Sequence, residues 1–225
     1  DKQLNKNIFY SLSIFLLFSN YIRNVYVIDE VMMGLENPFN FINFGKFSYS
    51  PLSMIDGSVD LLFLSILIPF GFSKEILMHA NYFFCFMIAM LSFLFVIKIF
   101  NEYEKKIINI FIIILASSQF FVQIWSSGFP STFVILFIII SIYFLKTNQN
   151  DNLSKLCIFF PLIRPDAILF SGAFFFTLLI NEKKLRIKEY IFTFIALLFY
   201  FLIVKLLYGH FKPTPMEFKS YGLNS

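Results

Sequence analysis

Asp29 and Glu30 stand side by side where the first long apolar run of the chain stops. Carboxylates are scarce in this sequence, and one at a membrane boundary is well placed to take a proton from a hydroxyl group. Further polar islands follow, each beside an apolar run: Asp56-Gly57-Ser58, Arg164-Pro165-Asp166, and Tyr208-Gly209 through Lys212 to Lys219. Arginine there suits a lipid-linked phosphate through its bidentate fork, and lysine suits it as a point charge. Phosphate leaves readily once its negative charge is stabilised. The inventory fits group transfer from a lipid phosphate to a hydroxyl.

Each island also has a plainer reading. The acid pair could be a solvated helix end, and Asp56 with Ser58 a helix N-cap. Arg164 and Asp166 could be an ion pair filling a helix break, and Lys212 and Lys219 interfacial lysines. Trp125 and Tyr208, at span ends, fit an interfacial aromatic belt. His79 and His210 are far apart in sequence and suggest no ligand pair, and Cys85 and Cys157 read as small hydrophobes.

The elements that must position these islands are apolar helices. Hydrophobic residues make up 58% of the 225-residue chain and charged residues only 14%, with mean hydropathy +0.76. A soluble core does not need so much apolar surface, so the expected class is an all-α, polytopic transmembrane bundle in a single domain, 1–225. The net charge of +4 is ordinary for a membrane protein with basic loops and points to the lipid bilayer, with no nucleic acid partner.

Candidate spans are Ile8–Ile28, Met54–Phe72, Ile76–Phe100, Ile107–Trp125, Thr132–Leu145, Leu156–Ile180 and Tyr190–Tyr208. Thr132–Leu145 is short for a crossing. Proline removes a donor and disfavours helix in the residue before it, so Pro165 should break Leu156–Ile180 into two half-helices. With such breaks the bundle has about seven to eight membrane segments of the kind a hydrocarbon core requires.

Basic loops orient the chain. Lys183, Lys184, Arg186 and Lys188 form the strongest cluster, joined by Lys98, Lys105 and Lys106 and by Lys146 and Lys155, and all are expected on the cytoplasmic side. The stretch Asp29–Ser53 then reads as an external loop carrying the acidic pair, and the Arg164–Asp166 break and the tail after Tyr208 face the same way. This placement leaves one apolar segment too many before Lys105. Met54–Phe72, with Asp56 and Asp60 early and Pro69 and Gly71 late, is the segment expected not to cross fully.

The order of the islands resembles the GT-C superfamily of integral-membrane glycosyltransferases, closest to the bacterial arabinofuranosyl- and mannosyltransferases. Asp29-Glu30-Val31-Met32-Met33 is similar to their D-D-A-x-I, and Asp56-Gly57-Ser58 matches E-G-x-T in part. Arg164-Pro165-Asp166-Ala167 resembles R-P-[DE]-G, and Tyr208-Gly209-His210-Phe211-Lys212-Pro213-Thr214 resembles Y-G-x-x-x-P-N with Lys219 beyond. Departures are Thr214 for Asn, Pro130 for the acid of S-G-x-E-T in Ser127–Thr132, and Glu36 where an arginine is common.

The resemblance implies a GT-C-like bundle in an inner (cytoplasmic) membrane, with its active site on the external face. It implies a polyprenyl-phosphate sugar donor and a cell-envelope glycan, lipid or protein acceptor, with inversion in a single displacement. Asp29 would be the base and Glu30 its support or a metal ligand, with Mg or Mn the divalent cations such carboxylates suit. Asp56, Arg164, Asp166, Tyr208, Lys212 and Lys219 would bind substrate, with Arg164 on the donor phosphate. Related chains are markedly longer, so these residues are expected to be the N-terminal part of a longer protein. Rival readings are a transporter or flippase for a lipid-linked or anionic substrate, built around the break at Pro165, and a non-enzymatic membrane subunit.

Overall fold

Helices are the only regular elements among the residues that the computed structural model describes, 29–50, 60–100, 131–183 and 185–209. They are α1 (Asp29–Phe44), α2 (Leu61–Leu67) continued by a 3-10 turn (Ile68–Phe70), α3 (Lys74–Ile99) and α4 (Thr132–Lys146). Then come α5 (Asn150–Cys157), α6 (Phe160–Ile163), a 3-10 turn (Pro165–Ala167), α7 (Ile168–Glu182) and α8 (Ile187–Tyr208). Of these, α3 with 26 residues and α8 with 22 are long and apolar enough to cross a membrane. The candidate spans Ile8–Ile28 and Ile107–Trp125 lie outside the described residues.

In α8 the buried residues are Thr193, Ala196, Tyr200, Val204 and Tyr208, a single stripe at helical spacing. Ile191, Phe192, Ile195, Phe199, Leu202 and Leu206 are exposed around the rest of the helix. Such continuous apolar surface suits lipid rather than water. The helix stops at Gly209, whose φ of 81° puts it in the left-handed region and lets its N–H bond the Lys205 carbonyl. The Tyr-Gly pair therefore has a structural use as a helix terminator.

Residues 29–44, which read as loop, form a helix. Pro38 sits inside it, and its missing N–H leaves the Gly34 carbonyl without its usual donor. The Asn37 side-chain amide takes that place at 3.0 Å. Val31, Leu35 and Pro38 share a buried face, so tertiary burial holds together a segment of modest propensity. The asparagines here hold the chain itself. Asn40 bonds the Ser48 and Tyr49 carbonyls at 2.9 and 3.1 Å, and Asn43 bonds those of Phe39 and Gly71 at 2.8 and 2.9 Å.

Contacts along α3 supply a depth scale. Near its start, Lys74 pairs with Glu36 and lies over the Phe39 ring. Further along, Met32 and Leu35 line a small hollow together with Leu77 and Met78. Helix α1 therefore runs antiparallel to the first part of α3, with Asp29 toward its middle. Thr132, at the start of α4, places its hydroxyl 3.9 Å from the Cys85 sulfur, and at the far end Lys146 bonds the Ile99 carbonyl. Helices α3 and α4 thus run in parallel.

Helix α2 and its 3-10 turn rise from Asp60 to Gly71, where a Cβ would lie 2.3 Å from the Pro38 carbonyl oxygen. Ten residues of this kind span only ~16 Å, about half a hydrocarbon core. Residues 61–70 therefore do not traverse the bundle, as expected for the late half of Met54–Phe72.

Candidate active site

Pro165 determines the local shape of the site. The residue before a proline is pushed out of the helical region, and Arg164 is extended at φ −149° and ψ 136°. The helix breaks there, as the sequence predicts. A second discontinuity, at Ile158 and Phe159 ahead of Pro161, divides the first half into α5 and α6.

The extended backbone projects Arg164 onto side chains from other segments. Its Nη1 donates to the Ser131 hydroxyl at 2.8 Å, and its Nε and Nη2 donate to the two carboxylate oxygens of Asp166 at 3.1 Å each. Asp60 Oδ1, just before α2, lies 3.7 Å from Nε. The Asp60 side chain is 7% exposed, that of Arg164 23% and that of Asp166 52%. One guanidinium thus joins the starts of α2 and α4 to the break.

The Tyr208 hydroxyl reaches Asn37 Oδ1 at 3.5 Å. That contact is beside the Glu36–Lys74 pair at the start of α3, about three turns above the Cys85–Thr132 contact next to Ser131. Asp29 and Glu30 are described by backbone alone, as the first residues of α1, the end that points from the Lys74 level toward the Arg164 level. Asp56, Lys212 and Lys219 lie outside the described residues. The structure therefore joins Arg164 with Asp166 and sets Tyr208 apart from both.

A model of the Alg9-like mannosyltransferase family matches residues 8–225. The chain belongs to that family. As an Alg9-like family member it is a membrane-bound glycosyltransferase, which bears out the resemblance drawn from the ordered motifs. A mannosyltransferase family implies a sugar donor and a glycan acceptor. No curated protein and no solved structure matches the chain.

Within this Alg9-like chain the residues that sequence reasoning missed are Asp60 and Ser131. Asp60 was visible only as an acid in an ambiguous apolar run. Ser131 lies in the S-G-x-E-T-like stretch whose acid is replaced by Pro130. Neither carries a signal of its contact with Arg164, because each is distant from it in the chain. Among the described residues no three His, Cys, Asp or Glu side chains gather as a metal cage.

At the opposite end of the bundle, Arg186 ties α5 to the end of α7. It bonds Glu182 through Nε and Nη2 at 2.9 and 2.8 Å, and Asp151 and Ser154 through Nη1 at 2.7 and 3.0 Å. The hydrogen bonds from Arg186 hold the Glu182 carboxyl below its usual range, and the bond to Glu182 raises the guanidinium in turn. An open polar hollow of about 400 Å³ beside them is lined by Asn148, Gln149, Asn150 and Asn152. It is far from Arg164.

Proposed function

We propose that this chain carries the donor-binding part of a mannosyltransferase that uses a polyprenyl-phosphate sugar. The transfer takes place on the external face of an inner membrane, to a cell-envelope glycan, lipid or protein, within a GT-C-like bundle of about seven to eight membrane segments, the number its apolar runs suit. The acceptor hydroxyl attacks the anomeric carbon as the bond to the phosphate oxygen breaks, inverting that centre. Asp29 accepts the hydroxyl proton, with Glu30 beside it, and the polyprenyl phosphate leaves with the bonding electrons. Arg164 neutralises the leaving phosphate, and Asp56, Tyr208, Lys212 and Lys219 complete the substrate contacts.

The observation that carries this reading is the Arg164 guanidinium, held in a proline-made helix break by side chains from separate segments, in a chain of this family. A charged group at such a break is costly unless it is paired or used. The direction of α1 supports it, since that helix takes the acidic pair toward the same depth. The separation of charges supports it too, because Lys98, Lys146 and Arg186 gather at the end opposite Lys74.

The test is turnover of radiolabelled polyprenyl-phosphate sugars by the intact protein in liposomes. Asp29→Asn should lower kcat by ~10²–10⁴ while leaving donor KM within a few-fold, as loss of a general base does. Turnover equal to wild type would remove Asp29 from the role of base. Consumption of no donor would overturn the reading.

A further inference from the structure

The two carboxylates on Arg164 are not equivalent. Asp166 takes the Nε–Nη2 edge with both oxygens, an edge that can bind a phosphate through two parallel hydrogen bonds, and Nη1 is already given to Ser131. It is two residues away in the chain and half exposed, so its carboxylate can turn into water at little cost. Asp60 is nearly buried, precedes a helix whose Leu61, Phe63, Leu64 and Leu67 are all in the core, and belongs to a separate segment. It cannot leave without burying a charge alone. Ser131 holds the third nitrogen from the start of α4.

We propose that Arg164 is a guanidinium anchored by Asp60 and Ser131, whose phosphate-binding edge is occupied by Asp166 until a lipid-linked phosphate displaces it. This rests on the assignment of Arg164 to the donor phosphate made above. Asp60 is then a positioning residue and Asp166 a competitor, a division that neither the family match nor the motif order makes. Charge arithmetic supports displacement. One arginine between two aspartates carries a net charge of −1, which repels a phosphate, whereas Arg164 with Asp60 alone is neutral. Asp60 Oδ1 lies 3.7 Å from Nε, beyond hydrogen-bond distance, so it balances the charge while Nε and Nη2 keep their hydrogens for the ligand.

The two aspartates should respond with opposite signs. Titration of the detergent-solubilised protein with farnesyl phosphate reads binding without turnover, with inorganic phosphate as the control that lacks the tail. Asp166→Asn should tighten farnesyl phosphate binding by about two- to fivefold, the worth of an exposed ion pair. Asp60→Asn should weaken it by about tenfold, and Asp60→Glu should recover part of the loss. Both effects should vanish on an Arg164→Ala background, which a general loss of stability would not produce.

Tightening by both substitutions would show that Asp60 acts through its charge alone and would overturn its positioning role. Weakening by Asp166→Asn would overturn the competition. If Arg164→Ala binds as the wild type does, the phosphate role of Arg164 in the proposed function fails, and this inference with it. Binding of inorganic phosphate as tight as farnesyl phosphate would overturn the lipid-linked ligand while leaving the assignment of anchor and competitor to the signs above.

Discussion

At the scale of single residues, the proposed function gives Arg164 a chemical use and leaves Arg186 a structural one. Arg164 and Arg186 are both forked onto carboxylates, but Arg186 ties α5 to the end of α7 at a bundle end where it has only the chain to hold. Glu182 should therefore matter to stability in a pH-dependent way. Its folded pKa lies below the unfolded value of ~4.3, so its contribution is complete above that pH and is lost as pH falls through the folded value. Glu182→Gln should lower the melting temperature at pH 7, and the gap to wild type should close below about pH 4. A gap that persists in acid would mean that the effect is not ionic. Arg164 was legible as a candidate because an Arg-Pro-Asp run within apolar sequence has few bland explanations. Its partners Asp60 and Ser131 were not, since a lone acid or serine becomes part of a site only through tertiary contact.

At the scale of elements, the two long helices were legible nearly to their ends. Ile76–Phe100 and Tyr190–Tyr208 differ from α3 and α8 by at most a turn, because apolar runs of about twenty residues or more admit few other structures. Helix α1 was not legible. Its asparagines and Pro38 are loop signals, and they are overridden by burial against α3 and by the Asn37 amide that replaces the proline's lost donor. The 3-10 turn before α3 locks this arrangement at Gly71, whose backbone meets that of Pro38 with no room for a side chain. Gly71→Ala should destabilise the protein by ~1–3 kcal/mol, the usual cost of overpacking, because a backbone carbonyl cannot move aside as a side chain would. Thermal unfolding in detergent measures it. A melting temperature equal to wild type would mean that α1 and the turn can separate without loss. Gly172→Ala is the control, since its Cβ would meet nothing within 4 Å.

At the scale of the molecule, the charge pattern poses a question of parity. Two apolar segments precede the first basic loop, yet the positive-inside reading puts the acidic pair and that loop on opposite sides. The helix from Leu61 returns to the Lys74 end after ~16 Å, leaving α3 to make the full passage. The bundle then has a basic end at Lys98, Lys146 and Arg186, and an opposite end where Lys74 meets Glu36 and Tyr208 meets Asn37. Positive residues favour the cytoplasmic side, so the two ends should be reached by reagents from different compartments. Cysteine labelling checks this directly, because Cys85 and Cys157 are buried and leave a low background in this chain. In intact cells an impermeant maleimide should label Lys74→Cys and should label Lys183→Cys only after permeabilisation. Labelling of both from outside would sink the two-sided arrangement and, with it, the external face proposed for the transfer. Labelling of Lys183→Cys alone would invert the chain and move the proposed transfer to the cytoplasmic face.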